Sequence, residues 1–223
     1  MTPRYRGILF DLDGTLVDSL ELILSSYRHT MAEHFGSAPP DDAWLNTMGM
    51  PLHVQLRSFA KSEGQLESMF RTYVVHNESQ HDRLIRPFPK MRQAIATLHS
   101  AGYGLCVVTS KIREHAEREL RSCRLAEFFN HIVSADDVEN PKPDPEPVFR
   151  GLAALESLQA EALFVGDSLY DLQAGRAAGV ATAAALWGPF GREQLSAGQP
   201  EHWLEDIADL LGLLSLSPTD VDG

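Results

Sequence analysis

Basic residues are scarce in this chain. Nineteen lysines and arginines stand against 31 aspartates and glutamates, a formal net charge of -12. That excess of negative charge disfavours nucleic-acid backbones and anionic membrane surfaces, so neither is expected as a partner. Cysteine is scarcer still: Cys106 and Cys123 form no metal-binding spacing, require no oxidising compartment and read as packed thiols. Long apolar runs are also missing. The stretch "GILF" before Asp11 is too short for a signal peptide and no other run approaches a membrane span, so a cytoplasmic protein is expected. No feature selects an oligomeric state. With 223 residues, 43% of them hydrophobic, the chain has ample material for a buried core.

Short apolar runs at 7–11, 104–110, 131–136 and 162–167 end in polar or small residues, and a fifth follows at 180–187. From residue 104 they alternate with helix-like segments at 111–125, 145–158 and 168–179. Such alternation predicts βαβ units, hence an α/β fold with a parallel sheet covered on both faces. Between the first two runs lie more than ninety residues of helical periodicity, including "LELILSSYRHTMAEHF" and "HVQLRSFAKSEGQLESMFRTYVVHNESQH". A structureless loop of that length is improbable, so a helical subdomain is expected there, returning through the Pro87 and Pro89 of "RPFPK". The predicted division is a core of residues 1–18 and 87–223 and an insertion of residues 19–86. There is no internal repeat, and the tail after Pro218 reads as frayed.

Polar chemistry sits at the ends of four of these runs. Asp11 and Asp13 follow the first, Thr109 and Ser110 the second, Lys142 lies in "NPKPDPEP" after the third, and Asp167 and Asp171 follow the fourth. By itself Asp-x-Asp reads as a turn with solvated aspartates. Ligands of open parallel sheets, however, bind at the carboxyl ends of strands, where all these residues can meet. Side chains two apart on a strand point the same way, which predicts that Asp11 and Asp13 converge and need a countercharge. Carboxylates, a hydroxyl and a lysine suit a hard cation such as Mg2+ and a phosphate.

The ordered set "DLDGT", "VVTS", "PKPDP" and "GDSLYD" resembles the haloacid dehalogenase superfamily over nearly the whole chain. The segments "ELILSSYRHTM" and "SADDVENPKPDPEPV" resemble its branch of phosphoglycolate phosphatases and a bacterial pyrophosphatase. The resemblance implies a Rossmann-like core with an inserted all-helical cap domain. It also implies an aspartyl-phosphate formed on Asp11, with Asp13 as acid and base. Thr109 and the Ser110 N–H would hold phosphoryl oxygens while Lys142 orients Asp11. Mg2+ would be held by Asp11, the Asp13 carbonyl and Asp167, with Asp171 nearby, through water or through Lys142. The cap loop around Met48, Gly49, Met50 and His53 would face a small leaving group, and Arg57 would meet its anion.

The substrate implied is a small anionic phosphate, a phosphorylated metabolite or inorganic pyrophosphate, with phosphoglycolate and pyrophosphate both favoured. A β-phosphoglucomutase-type sugar-phosphate mutase is the alternative, but mutases of that type carry a basic residue three positions after the cap-loop glycine, where this chain has Leu52 after Gly49. A non-catalytic phosphate-binding regulator is the third reading, against which every catalytic position is intact. The nine histidines form no ligand spacing and read as solvated or packed. Asp136, Asp137 and Asp144 read as loop and helix-start residues, Asp18 and Ser19 as capping or gating, and Trp187 as sheet packing or a substrate contact.

Overall fold

The computed structural model describes residues 4–217, and the tail after Pro218 lies outside them. The strands are β1 (Gly7–Phe10), β2 (Val17–Asp18), β3 (Arg86–Pro87), β4 (Gly104–Val108), β5 (His131–Val133), β6 (Ala162–Gly166), β7 (Ala181–Ala185) and β8 (His202–Leu204). Six of them form one parallel sheet in the order β5-β4-β1-β6-β7-β8. Period-two alternation divides its core. Ile8 and Phe10, Leu105 and Val107, and Leu163 and Val165 pack on one face; Leu9, Cys106, Val108 and Phe164 pack on the other. Burial on both faces explains why these strands read as unbroken apolar runs rather than as alternating ones.

The long connection after β1 is helical: α1 (Leu20–Phe35), α2 (Asp42–Leu45), α3 (Leu52–Arg57) and α4 (Glu63–Leu84). These helices have their own cluster, in which Trp44 lies 4.9 Å from the Tyr27 ring and stacks at 5.6 Å on Tyr73, with Leu24, Met31, Leu56, Leu66 and Met69 around them. The single periodic run at 53–81 is broken in two by Ser62, whose side chain caps α4 by accepting the Gln65 N–H at 3.2 Å. Chain entry and exit are tied together by the antiparallel ribbon of β2 with β3, Val17 opposite Pro87 and Asp18 opposite Arg86.

The core helices are α5 (Met91–Ser100), α6 (Arg113–Ser122), α7 (Glu146–Ala154), α8 (Leu169–Ala177), α9 (Arg192–Leu195) and α10 (Ile207–Leu213). Those numbered α5, α6 and α10 cover one sheet face and α7 and α8 the other. The sequence reading anticipated neither β8 nor α5. Numbered along the chain without the ribbon, the strands of the sheet run 3-2-1-4-5-6, which puts the reversal of strand order between β1 and β6. Asp11 and Asp167 are the residues that follow those two strands.

Candidate active site

Three carboxylates are gathered at that reversal. Asp11, Asp167 and Asp171 are all buried, and each offers an oxygen within 4.8 Å of the others. Lys142, 2% exposed, reaches them from the loop after β5: its Nζ donates to Asp11 Oδ1 at 2.7 Å, to Asp171 Oδ1 at 2.6 Å and to the Val108 carbonyl at 3.3 Å. Asp171 owes its place to helix capping. In the first turn of α8 its Oδ2 accepts the Ser168 N–H at 3.0 Å and the Ser168 hydroxyl at 2.6 Å, while Ser168 Oγ accepts the Asp171 N–H. Its Oδ1 thus faces Lys142 and its Oδ2 faces Ser168. Asp167 Oδ1 accepts the Thr15 hydroxyl at 2.6 Å. Gly14 passes so close that a Cβ there, at φ +81, would lie 2.4 Å from Asp167 Oδ2.

One lysine does not balance three buried acids. Burial, then the repulsion of Asp171, outweighs the pull of Lys142 and pushes Asp11 up to about 7. Burial, then Asp11 and Asp171, raises Asp167 well above the carboxylate range. Burial alone would lower Lys142, but Asp11 and Asp171 overcome it and keep the ammonium charged. The surplus of buried negative charge and the all-oxygen donor set fit a hard divalent cation.

Asp13 lines the same crevice as Asp11, and its charge helps to raise Asp11, so the two carboxylates approach as expected although the strand ends at Phe10. Its side chain is not part of the Asp11, Asp167 and Asp171 set. The Asp13 Oδ1 instead accepts the Ser19 hydroxyl at 2.5 Å and the Lys111 ammonium at 2.8 Å. Lys111 also donates to Glu119, which α6 buries. Ser19, read as capping or gating, makes no side-chain cap for α1 and bonds Asp13 instead, whereas Lys111 and Glu119 escaped the sequence reading as site residues. The available signals were a lysine directly after "VVTS" and an acid on the Ala116 and Leu120 face of an amphipathic helix. Burial, then repulsion from Asp13, pushes Glu119 up to about 7.

A crevice of about 200 Å³ opens over these groups and is lined by Asp11, Asp13, Thr109, Ser110, Lys111 and Asp167 from below and by Gly49, His53 and Tyr73 from above. Met48, Met50, Leu52 and Phe70 make much of its roof apolar. Ser110 Oγ donates to the Gly49 carbonyl at 2.6 Å, joining the loop before α3 to the end of β4. Arg57 is the correction here. It is exposed, forms both guanidinium contacts with Glu63 at 2.9 Å and does not line the crevice, because α3 ends there and turns its last residue towards α4. Trp187 Nε1 donates to the Thr15 carbonyl at 2.9 Å, a packing role. Asp136, Asp137 and Asp144 accept backbone N–H groups in local turns and helix starts.

Among the described residues no helix is long and apolar enough to cross a membrane. The family model for haloacid dehalogenase-like hydrolases matches residues 8–185. A pyrophosphatase PpaX of Anoxybacillus flavithermus is 36% identical over 210 residues, 94% of this chain and 97% of that relative. One of Bacillus velezensis is 39% identical over 211 residues, covering 93% and 95%. The solved structure of a haloacid dehalogenase-like family hydrolase from Streptococcus pneumoniae superposes with a TM-score of 0.80 at 25% identity, covering 95% of this chain and 99% of that one. With sheet order, motif placement and relatives in agreement, the chain is an enzyme of the haloacid dehalogenase-like hydrolase family.

Proposed function

We propose that the enzyme is a Mg2+-dependent phosphohydrolase of small anionic phosphates, with inorganic pyrophosphate ranked first and phosphoglycolate second. The observation that carries this reading is the buried Asp11, Asp167 and Asp171 set around Lys142 at the strand reversal. Pyrophosphate is ranked first because relatives at 36% and 39% identity are named pyrophosphatases. Asp11, Asp167 and the backbone carbonyl of Asp13 would hold the cation. When bound, it supplies positive charge against these carboxylates and the transferring phosphoryl group.

A carboxylate oxygen of Asp11 attacks phosphorus, and the bond from phosphorus to the leaving oxygen breaks as Asp13 gives that oxygen a proton. Asp13 then takes a proton from water, whose oxygen attacks the aspartyl-phosphate and frees Asp11. Thr109 and the Ser110 N–H hold phosphoryl oxygens, and Lys142 keeps the Asp11 carboxylate in place. Residues 19–86 serve as the cap, with Gly49 and His53 over the leaving group. Closure of that roof excludes water from the phosphoryl group.

The test is phosphate release from pyrophosphate, phosphoglycolate, sugar phosphates and nucleotides, with and without Mg2+. Mg2+-dependent release, fastest with one of the first two, is expected. Interconversion of sugar phosphates with little release would install the mutase reading, and binding without turnover the regulator.

A further inference from the structure

The proposed chemistry leaves one buried acid unused. Glu119 is 1% exposed on the core side of α6, and its Oε2 has no hydrogen-bond partner among the described residues. Its Oε1 accepts the Lys111 ammonium, which also reaches Asp13 Oδ1 at 2.8 Å. Ser19 donates to the same Asp13 oxygen at 2.5 Å. Two donors therefore occupy Oδ1, and Oδ2 is left to exchange a proton with the leaving group or with water. Lysine carries its charge on a flexible four-carbon stem, so a single contact with Asp13 would not fix it. Unanchored, Lys111 would be free to swing to a substrate anion in the crevice it lines.

We propose that Glu119 is a positioning residue that anchors Lys111 against Oδ1 of Asp13 and so directs proton exchange to Oδ2. The inference rests on the acid and base role given to Asp13. It differs from a stability role for the buried ion pair in one respect: its effect depends on how much help the leaving oxygen needs.

The experiment compares kcat for phosphoglycolate, an alkyl phosphate, with kcat for p-nitrophenyl phosphate, whose leaving oxygen needs little protonation. Glu119→Ala is expected to lower the first about tenfold and the second by no more than about threefold. Glu119→Gln retains an acceptor for Lys111 and should recover most of the alkyl-phosphate rate. Equal losses on both substrates, or a glutamine no better than alanine, would overturn the proposal. Should the alanine variant fail to fold, Lys111→Met removes the other end of the same contact and must show the same bias; without it the proposal is overturned. Asp13→Asn is measured alongside. If that variant shows no bias, the acid role itself falls; if it shows the bias and Glu119→Ala does not, only the role of Glu119 is lost.

Discussion

The Lys142 ammonium lies 2.7 Å from Asp11 Oδ1 and is shared with Asp171 at 2.6 Å, so the proposed nucleophile and the capping acid of α8 depend on one buried cation. The two sides of this contact should respond oppositely to mutation. Asp11→Asn removes one of three crowded carboxylates and is expected to abolish turnover while keeping or raising the metal-free melting temperature. Lys142→Met leaves both acids without a countercharge and should cost about 3–5 kcal/mol of stability in addition to activity. Thermal melts of both variants beside a phosphate-release assay check the pair; an Asp11→Asn protein with a tenth or more of wild-type turnover would contradict the nucleophile assignment.

The raised Asp11 and Asp167 set the pH dependence of the metal-free protein. Each folded-state pKa lies above its unfolded value, so the stability they contribute is complete below about 4 and is lost as pH rises, for Asp11 through about 7. In EDTA the melting temperature should fall between pH 5 and pH 8. Added Mg2+ should raise it more at pH 8 than at pH 5, because it offsets charge present only at the higher pH. An equal rise at both would mean that the cation does not bind these carboxylates.

Arg57 faces solvent in its pair with Glu63. Arg57→Ala is therefore expected to leave KM for pyrophosphate and phosphoglycolate within about twofold of wild type, as is usual for exposed ion pairs. His53, which lines the crevice, should respond: His53→Ala is expected to raise KM severalfold. Steady-state kinetics of the two variants on both substrates decide between them, and the reverse pattern would return Arg57 to the site.

Gly49 adopts φ +102, and a Cβ there would lie 2.9 Å from Ser168 Oγ and 3.0 Å from the Tyr170 ring. Gly49→Ala combines backbone strain with a clash against α8, and should lower kcat/KM at least tenfold with little change in melting temperature. A large fall in melting temperature with kcat/KM preserved would show that the glycine serves folding rather than closure.

What could be read in the sequence followed from where strands end. Asp11 and Asp167 stand directly after apolar runs, and the motif order placed Lys142 between them, so their meeting was foreseeable. Asp13 does share the crevice with Asp11, but the turn after Phe10 hands its Oδ1 to Ser19 and Lys111, partners that strand alternation does not predict. Lys111 and Glu119 went unnoticed for a related reason: their partnership spans eight residues across the start of α6, and only the packed helix shows that the acid faces inward. Arg57 was assigned by proximity to the cap-loop glycine, but a short helix can turn its final residue away from the loop that precedes it. The break at Ser62 was hidden because Phe59 and Ala60 continue the apolar rhythm of α3.

The pairing of Val17 and Asp18 with Arg86 and Pro87 puts the departure and the return of the helical segment side by side. Everything between them could be exchanged for a tight turn without cutting any of the six strands of the sheet. The helices thus form an insertion that leaves the six-stranded sheet uninterrupted: a transplanted segment of different length needs only to begin and end at this ribbon and to keep the Ser19 hydroxyl on Asp13. Under the role proposed for residues 19–86, changing what the enzyme accepts and changing how it reacts become separable operations on the polypeptide.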